Sequence, residues 1–555
     1  VAATDLNKIA FWMATGSGKT LLMHLNYYQY RNYFGDELDH ILLVTPNDGL
    51  TDQHMRELRQ SGINAVYYLD LVESSMDVAP EDVKVIEISK LVEEKSDEGV
   101  RVEVDAFEGN NLVFVDEGHK GASSSAGTWR DLRARLAEDG FTFEYSATFG
   151  QAVGGSTPAA VEEEYGKSIL FDYSYQRFYD DGYGKDYRIL NLETSADDVL
   201  DEDDELTDRY LLANLLTYYE QQLVFQRDEE RLREEYNLKK PLLMFIGHSV
   251  TGGRTVSDLS TNDKRSVTDI QRLVAFLQRV LTDTDWTTTA VDELLSGDTA
   301  LQIDGEDLFA DEFGAIRATG WSTEALLTDL RERLFHASGA TGLRLVNLKN
   351  AGGEIGLRAG DADSFFGVID VGNDRGFLQL TEQDLPDVTV TESEFEGSLF
   401  KRINQRDSDV NVLLGAKKFI EGWSSWRVST MGLMNIGRGE GPQIIQLFGR
   451  GVRLLGKHRS LKRSSALDED NHPRHLPLLD TLNIFGVRAD YMAQFRDYLA
   501  DEGIGTEDRK IVRVTTEVDN RVRGKDLQVP RPRSPATFTS TNDLVLALDD
   551  DVVPE

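Results

Sequence analysis

The stretch Phe11-Trp-Met-Ala-Thr-Gly-Ser-Gly-Lys19-Thr20 constrains this chain more than any other. An apolar run, Ile9 to Met13, enters a loop that holds Gly16 and Gly18, and Leu21 to Tyr30 after it reads as a helix. Glycines let successive backbone N–H groups turn inward around phosphate oxygens, and the N-terminus of the next helix adds its partial positive charge. Lys19 reaches terminal phosphates from such a loop, and the Thr20 hydroxyl suits Mg²⁺. Thr15, Gly16, Ser17 and Gly18 supply the loop itself. The general pattern has a glycine five residues before Gly18, where this chain has Met13. The stretch predicts a nucleoside triphosphate site.

Such a site needs an acid opposite the loop. Leu112-Val-Phe-Val-Asp116-Glu117-Gly-His119 is an apolar strand ending in two carboxylates. Asp116 is placed to hold Mg²⁺, directly or through water, and Glu117 to orient and deprotonate an attacking water. Glu144-Tyr-Ser146-Ala147-Thr148 closes the next strand, with small hydroxyls fit to relay hydrogen bonds, although a plain Ser/Thr turn reads the same way. Thr45-Pro46-Asn-Asp-Gly-Leu50-Thr-Asp-Gln53 follows the second strand and would offer a helix N-terminus and hydroxyls to a backbone phosphate. Far downstream, Gln446-Leu-Phe-Gly449-Arg450-Gly-Val-Arg453 sets two arginines three apart on one helix face. Two guanidiniums there suit charge that develops on a transferring phosphoryl group.

The first 150 residues alternate strand and helix signals, as parallel α/β units do. Strands are expected at 9–13, 40–44, 65–68, 83–88, 111–116 and 142–146, with helices at 50–59 and 129–136. Residues 151–190, rich in Gly and Tyr, read as a connector. A long helix is expected over 207–236 and a buried strand over 241–248, which opens a second α/β unit. Within that unit, 285–400 is irregular, with a helical segment at 322–336 and short strands such as 366–371 among glycines, and reads as an insertion. The α/β pattern resumes over 410–414, 430–435, 443–447 and 479–485, and an amphipathic helix is expected at 490–499. The divisions are therefore 1–150, 151–236, 237–503 and a small extension at 504–555. His472 and His475 read as loop residues rather than metal ligands, and Trp423 and Trp426 as core.

Composition bounds the setting. There is no cysteine, which excludes disulfides and thiolate-held metals. No apolar run approaches the ~18 residues that span a bilayer, and no charged-then-apolar leader opens the chain, so a cytoplasmic protein is expected. The chain begins at Val1, almost on the loop, so either a natural N-terminal segment is missing or the start is misplaced. The formal net charge of −38 argues by itself against nucleic-acid binding. The acids are spread along the chain, however, and Arg outnumbers Lys, which suits a cytoplasm of high salt. At ~1 M salt the screening length is about 3 Å, so diffuse acidity would hardly reach a bound strand. A halophilic source is expected.

In order, Thr-Gly-Ser-Gly-Lys-Thr, Thr-Pro…Gln, Asp-Glu-Gly-His, Ser-Ala-Thr and Gln-x-x-Gly-Arg-Gly-x-Arg resemble the motifs of superfamily 2 helicases of DEAD/DEAH-box type. Phe419-Ile-Glu421-Gly422-Trp423 is similar, more narrowly, to the Res (motor) subunits of type III restriction systems. The resemblance implies an α/β fold of two RecA-like parallel-sheet domains in tandem. ATP would lie in the cleft between them, with nucleic acid across their tops. It assigns Gly16, Gly18, Lys19 and Thr20 to ATP phosphates, and Asp116 and Glu117 to Mg²⁺ and water. Gln446, Arg450 and Arg453 would complete the site from the second domain. His119, Ser146, Thr148, Glu421 and Gly422 would couple hydrolysis to movement, and Thr45, Pro46 and Gln53 would meet nucleic acid. DNA is the expected substrate ahead of RNA, with a separate methyltransferase or nuclease as partner. Ser424 departs from the family, which has an acid after Gly-Trp. The segment upstream of the loop that contacts adenine is almost absent. A nuclease signature is absent as well, so this chain is not expected to cut DNA. Two other readings stay open, a degenerate clamp that only binds nucleic acid and a complete ATP-dependent restriction nuclease.

Overall fold

A computed structural model describes residues 7–487 apart from 35–36, 69–78, 80, 93–101, 119–126, 148, 150–164, 191–203, 248–260, 300, 304–305, 372, 416–424, 435–440 and 468–471. All of the described residues fall in one compact unit, Val1–Thr506. The helix expected at 490–499 and the extension at 504–555 lie outside them.

Two parallel sheets are built in succession. The first takes strands β1 (Lys8–Met13), β2 (His40–Thr45), β3 (Ala65–Tyr67), β4 (Val83–Glu87), β5 (Asn111–Asp116), β6 (Phe141–Ser146) and β7 (Ile169–Tyr173). Their order across the sheet is β3-β4-β2-β5-β6-β1-β7, and every pairing is parallel. The central strands read as continuous apolar runs because both faces are covered. Leu42, Val44, Val113 and Val115 pack one face, and Ile41, Leu43, Leu112 and Phe114 pack the other. Helices α1 (Lys19–Phe34) and α2 (Asp48–Gln60) follow β1 and β2 directly. In α2 the Asn47 side chain caps the first turn by accepting from the Leu50 N–H at 3.0 Å.

The second sheet takes β8 (Asp186–Leu190), β9 (Leu242–Ile246), β10 (Leu343–Leu348), β11 (Glu354–Ala359), β12 (Gly367–Asp370), β13 (Thr389–Ser393), β14 (Val412–Gly415), β15 (Val428–Met434) and β16 (Thr481–Val487). They lie in the order β8-β16-β15-β9-β14-β12-β11-β10-β13. Only β11 runs against its neighbours. The fold is thus α/β, two parallel-sheet domains in tandem. The irregular segment read as an insertion continues this sheet through β10–β13. The strand expected at 366–371 is β12, whereas β10 and β11 were hard to see because Gly352, Gly353, Gly356 and Gly360 interrupt the apolar pattern.

Behind the second sheet runs α3 (Asp204–Arg227), buried nearly all round, with Tyr210, Leu211, Leu215, Tyr218 and Tyr219 at 0% exposure. It is shorter than the helix expected from the sequence. The chain breaks at Asp228 before a separate turn, Glu229–Glu234. The Tyr-rich stretch is more than a connector. It gives β7 to the edge of the first sheet and β8 to the edge of the second. Tyr175 and Phe178 between them are buried, with the Tyr175 ring 5.0 Å from that of Phe448. Tyr175 and Phe178 pack with Ala14 of the loop and with Leu447 and Phe448 of the second lobe. Among the described residues no helix is long and apolar enough to cross a membrane.

Candidate active site

Parallel strands deliver their C-terminal ends to one edge, and ligands collect there. The phosphate loop leaves β1 at that edge, and Asp116 ends β5 two strands away, with β6 and Ser146 between them. Gly16 and Gly18 have φ of 87° and 99°, values that L side chains rarely adopt, so the loop requires glycine at both. Ser17 closes the turn, its N–H and hydroxyl both donating to the Ala14 carbonyl, at 3.1 and 2.7 Å. The Lys19 ammonium donates to the Met13 carbonyl at 3.3 Å. Burial pushes its pKa below the ordinary value, against the carboxylates of Glu117 and Asp116, which pull it up. Arg453 and Arg450 push it down further.

Glu117 adopts φ 53°, the left-handed region that favours glycine. A non-glycine residue held there marks backbone strain of the kind that collects at working sites. The conformation is locked from below. Gly118 N–H donates to the Tyr145 carbonyl at 3.0 Å, while its own carbonyl accepts from Arg133 at 2.9 Å and from the Tyr165 hydroxyl at 3.0 Å. A Cβ on Gly118 would stand 2.8 Å from the Glu144 carboxylate. Glu144, fully buried, pairs with Lys8 at 3.1 Å and accepts from Tyr165 at 2.9 Å. Burial alone would raise the Glu144 pKa, but the charges of Lys8 and Arg133 and the two hydrogen bonds hold it below 4.5. Glu144→Gln strands Lys8 and is expected to cost about 3 kcal/mol in urea unfolding at pH 7. Because the folded pKa is depressed, the carboxylate's contribution is full above 4.5 and is lost as pH falls through the lower folded value. The gap between wild type and variant should therefore close in acid.

One residue of this site was missed by the sequence reading. His54 on α2 is 2% exposed, and its Nε2 lies 2.9 Å from the Asp116 carboxylate. Burial would lower the His54 pKa, yet the hydrogen bond and charge of Asp116, with Glu57 and Glu117, raise it overall. Burial likewise would raise Asp116, but His54 and then Lys19 and the Glu117 N–H hold it below its ordinary value. The signal was present: Thr51, His54 and Leu58 share the buried face of α2, directly after the strand beside Asp116.

The arginine motif reaches the loop from the second sheet. Helix α4 (Gly441–Gly451) carries Gln446 and Arg450, both buried, and Arg453 follows it. A Cβ on Gly449 would stand 2.4 Å from the Thr15 Cβ, so only glycine lets α4 approach this closely. A Cβ on Gly16 would lie 3.6 Å from Arg453 Cγ. Burial pushes the Arg453 pKa down, and Glu57 offsets part of that. Lys19, Asp116, Glu117, Arg450 and Arg453 thus stand in one cleft. A small pocket beside the loop, lined by Thr15, Gly16 and Arg453, also takes in Phe178, Leu461 and Trp426, which is 38% exposed rather than core.

Other expected contacts fare differently. The Thr45 hydroxyl is buried against Thr51 at 2.6 Å, and Gln53 donates to Glu57 at 2.8 Å. Thr45 is buried, whereas Gln53 is half-buried on its helix. Ser146 is fully buried at the end of β6. Nearby, the Trp12 indole donates to the Ala147 carbonyl at 3.2 Å and ties β1 to that strand end. His119, Thr148, Glu421 and Gly422 lie outside the described residues, as does Trp423. His472 is a loop residue whose Nδ1 meets the Tyr236 hydroxyl at 3.1 Å.

Residues 2–151 match the family model described as type III restriction enzyme, res subunit. The chain matches no curated protein. Among solved structures it is similar to Dbp5 of S. cerevisiae bound to RNA and ADP BeF3, at 10% identity, 89% of this chain, 83% of that one and a TM-score of 0.35. The Hef helicase domain of Pyrococcus furiosus shares 11% identity over 89% of this chain and 96% of that one, with a TM-score of 0.32. The DEAD-box helicase Mss116 bound to ssRNA and UDP-BeF gives 10%, 91%, 71% and 0.38. Likenesses this loose transfer no role to any residue.

Proposed function

We propose that this chain is an ATP-dependent DNA motor, a helicase or translocase of superfamily 2 that works in a restriction or defence system. The observation that carries the reading is the meeting of Arg450 and Arg453 with the Gly16–Thr20 loop across two lobes. ATP phosphates would sit on the N–H groups of Thr15 to Thr20, with Lys19 on the terminal phosphate and Gln446 behind it. The hard oxygens of Thr20 and Asp116 suit Mg²⁺. Among the described residues no cluster of three ligating side chains exists, so the ion would take its remaining ligands from phosphates and water. When bound it would neutralise charge on the β- and γ-oxygens.

Glu117 would orient the attacking water and accept its proton. Arg450 and Arg453 would meet the charge that grows on the γ-phosphoryl group. His119, Ser146, Thr148, Glu421 and Gly422 are proposed to pass the state of the nucleotide to the lobe surfaces, where Pro46 and its neighbours would meet a strand. Closing and opening of the lobes would then alternate the grip on DNA. The division at about 150, 236 and 503, the cytoplasmic and halophilic setting and a partner methyltransferase or nuclease complete the reading.

A phosphate-release assay in molar KCl, with and without DNA, tests it. DNA is expected to raise turnover several-fold. Turnover that is absent, or blind to DNA, would leave a clamp as the better description.

A further inference from the structure

Five cations surround one concave site of about 170 Å³ where β9, β14 and β15 begin: Arg233, Lys239, Lys240, Arg406 and Arg427. Among the described residues Glu234 is the only carboxylate in its wall. In a chain with 97 acidic and 59 basic side chains, this is far from the background. We infer that the pocket binds a tetrahedral oxyanion, a phosphoryl group carried by a free anion or by a nucleic-acid end.

Arg427 is 4% exposed. Its guanidinium donates to the carbonyls of Lys240 at 2.9 Å, Val410 at 2.7 Å and Ile403 at 2.5 Å. With a fourth bond to the Pro241 carbonyl at 3.4 Å, these use four of the five N–H donors and fix the group, but carbonyls do not cancel its charge, and a buried charge without a counter-ion is costly. Lys240 makes no ion pair among the described residues. Its pKa falls to about 8, first through burial and then through Arg427, with Arg233 adding to the push and Asp409 and Glu229 pulling back. Arg233 is already tied to Glu229 at 2.6 Å. Lys240 and Arg427 are therefore two neighbouring cations whose missing partner is an anion, and the exposed Lys239 and Arg406 flank the entrance. The volume suits a single oxyanion group and falls short of the ~300 Å³ at which pockets for larger ligands begin. None of these residues lines the cleft beside the phosphate loop, where Thr15, Gly16, Trp426 and Arg453 lie.

The test is calorimetric titration of sulfate into the full chain at constant KCl, with Mg·ADP present throughout. Sulfate keeps its charge between pH 7 and pH 9, so any change in affinity belongs to the protein. Affinity is expected to fall about tenfold over that range as the Lys240 ammonium gives up its proton. Lys240→Met should weaken sulfate at pH 7 by about tenfold and flatten the pH dependence. Arg406→Ala, at the exposed rim, should weaken it by less and serves as the arm that keeps the fold. Any sulfate taken by the phosphate loop is common to all three proteins and drops out of the comparison. Inorganic phosphate set beside 5′-phosphorylated and 5′-hydroxyl oligonucleotides distinguishes the source. A preference for the phosphorylated end that vanishes in Lys240→Met assigns the site to a strand end, and phosphate bound as tightly as that end assigns it to a free anion. Equal sulfate affinity in wild type and both variants, or affinity unchanged from pH 7 to pH 9, overturns the proposal.

Discussion

Glu117→Gln is expected to cut DNA-stimulated ATP turnover by about 10²–10⁴-fold, the range for a lost general base, while thermal unfolding stays where it was. Glutamine keeps the length and shape of the side chain, and Gly118 still holds the turn through Tyr145, Arg133 and Tyr165. Lys19→Ala should cost about 10²–10³-fold by removing one charge-assisted donor from the transferring phosphate. Glu117→Gly makes the interpretation sharper. At φ 53° glycine is at ease and glutamate is not, so this variant should gain roughly 1 kcal/mol of stability and be as inactive as Glu117→Gln. Loss of activity with a gain in stability cannot come from a damaged fold. Undiminished phosphate release in both Lys19→Ala and Glu117→Gln would end the assignment.

That the site was legible at all follows from how local its parts are. Gly16, Gly18 and Lys19 are legible because the loop's chemistry is contiguous, so spacing alone fixes which atoms face the phosphate. Asp116 and Glu117 are legible because a strand buried on both faces is a continuous apolar run, and charged residues at its end stand out. His54 belongs to the same site but lies 62 residues from Asp116, and nothing local separates it from any other histidine on a buried helix face. Lys8, Glu144 and Tyr165 are similar. Each looks ordinary alone, and only the parallel order of β5, β6, β1 and β7 brings them under Gly118. The hydroxyls of Thr45 and Thr51 show another non-local pairing. They look alike and free in sequence because a helix N-terminus follows Pro46, yet strand and helix fold so that the two hydroxyls share one hydrogen bond at 2.6 Å. Of the strands in 343–393, the one at 366–371 was legible, and its neighbours were hidden by glycines, which lower strand propensity in exchange for close packing. Gly356 is one example, since a Cβ there would stand 2.4 Å from the Phe365 ring.

Arg453→Ala should lower turnover by about 10³–10⁵-fold, the effect of losing an arginine finger, and leave nucleotide binding within a few-fold. The split follows from position. Lys19 and the loop N–H groups hold the phosphates in the ground state, whereas the guanidinium matters most when charge builds on the γ-phosphoryl group. Arg453→Lys should not rescue, because an ammonium offers no planar fork for two phosphate oxygens. Without nucleotide the sign of the arginine's effect reverses. Burial pushes the Arg453 pKa down, with Glu57 offsetting only part of that, and at Lys19 the push of Arg453 and Arg450 works against the larger pull of Glu117 and Asp116, so without a phosphate Arg453 is a desolvated cation that is only partly compensated. Removing Arg453 should therefore leave the nucleotide-free protein at least as stable as wild type, and ADP should raise the unfolding temperature of wild type by more than that of the variant. A variant that is instead less stable without nucleotide and unchanged in turnover would make Arg453 a packing residue between the lobes. The proposal of ATP-driven closure would then lose the contact on which it rests.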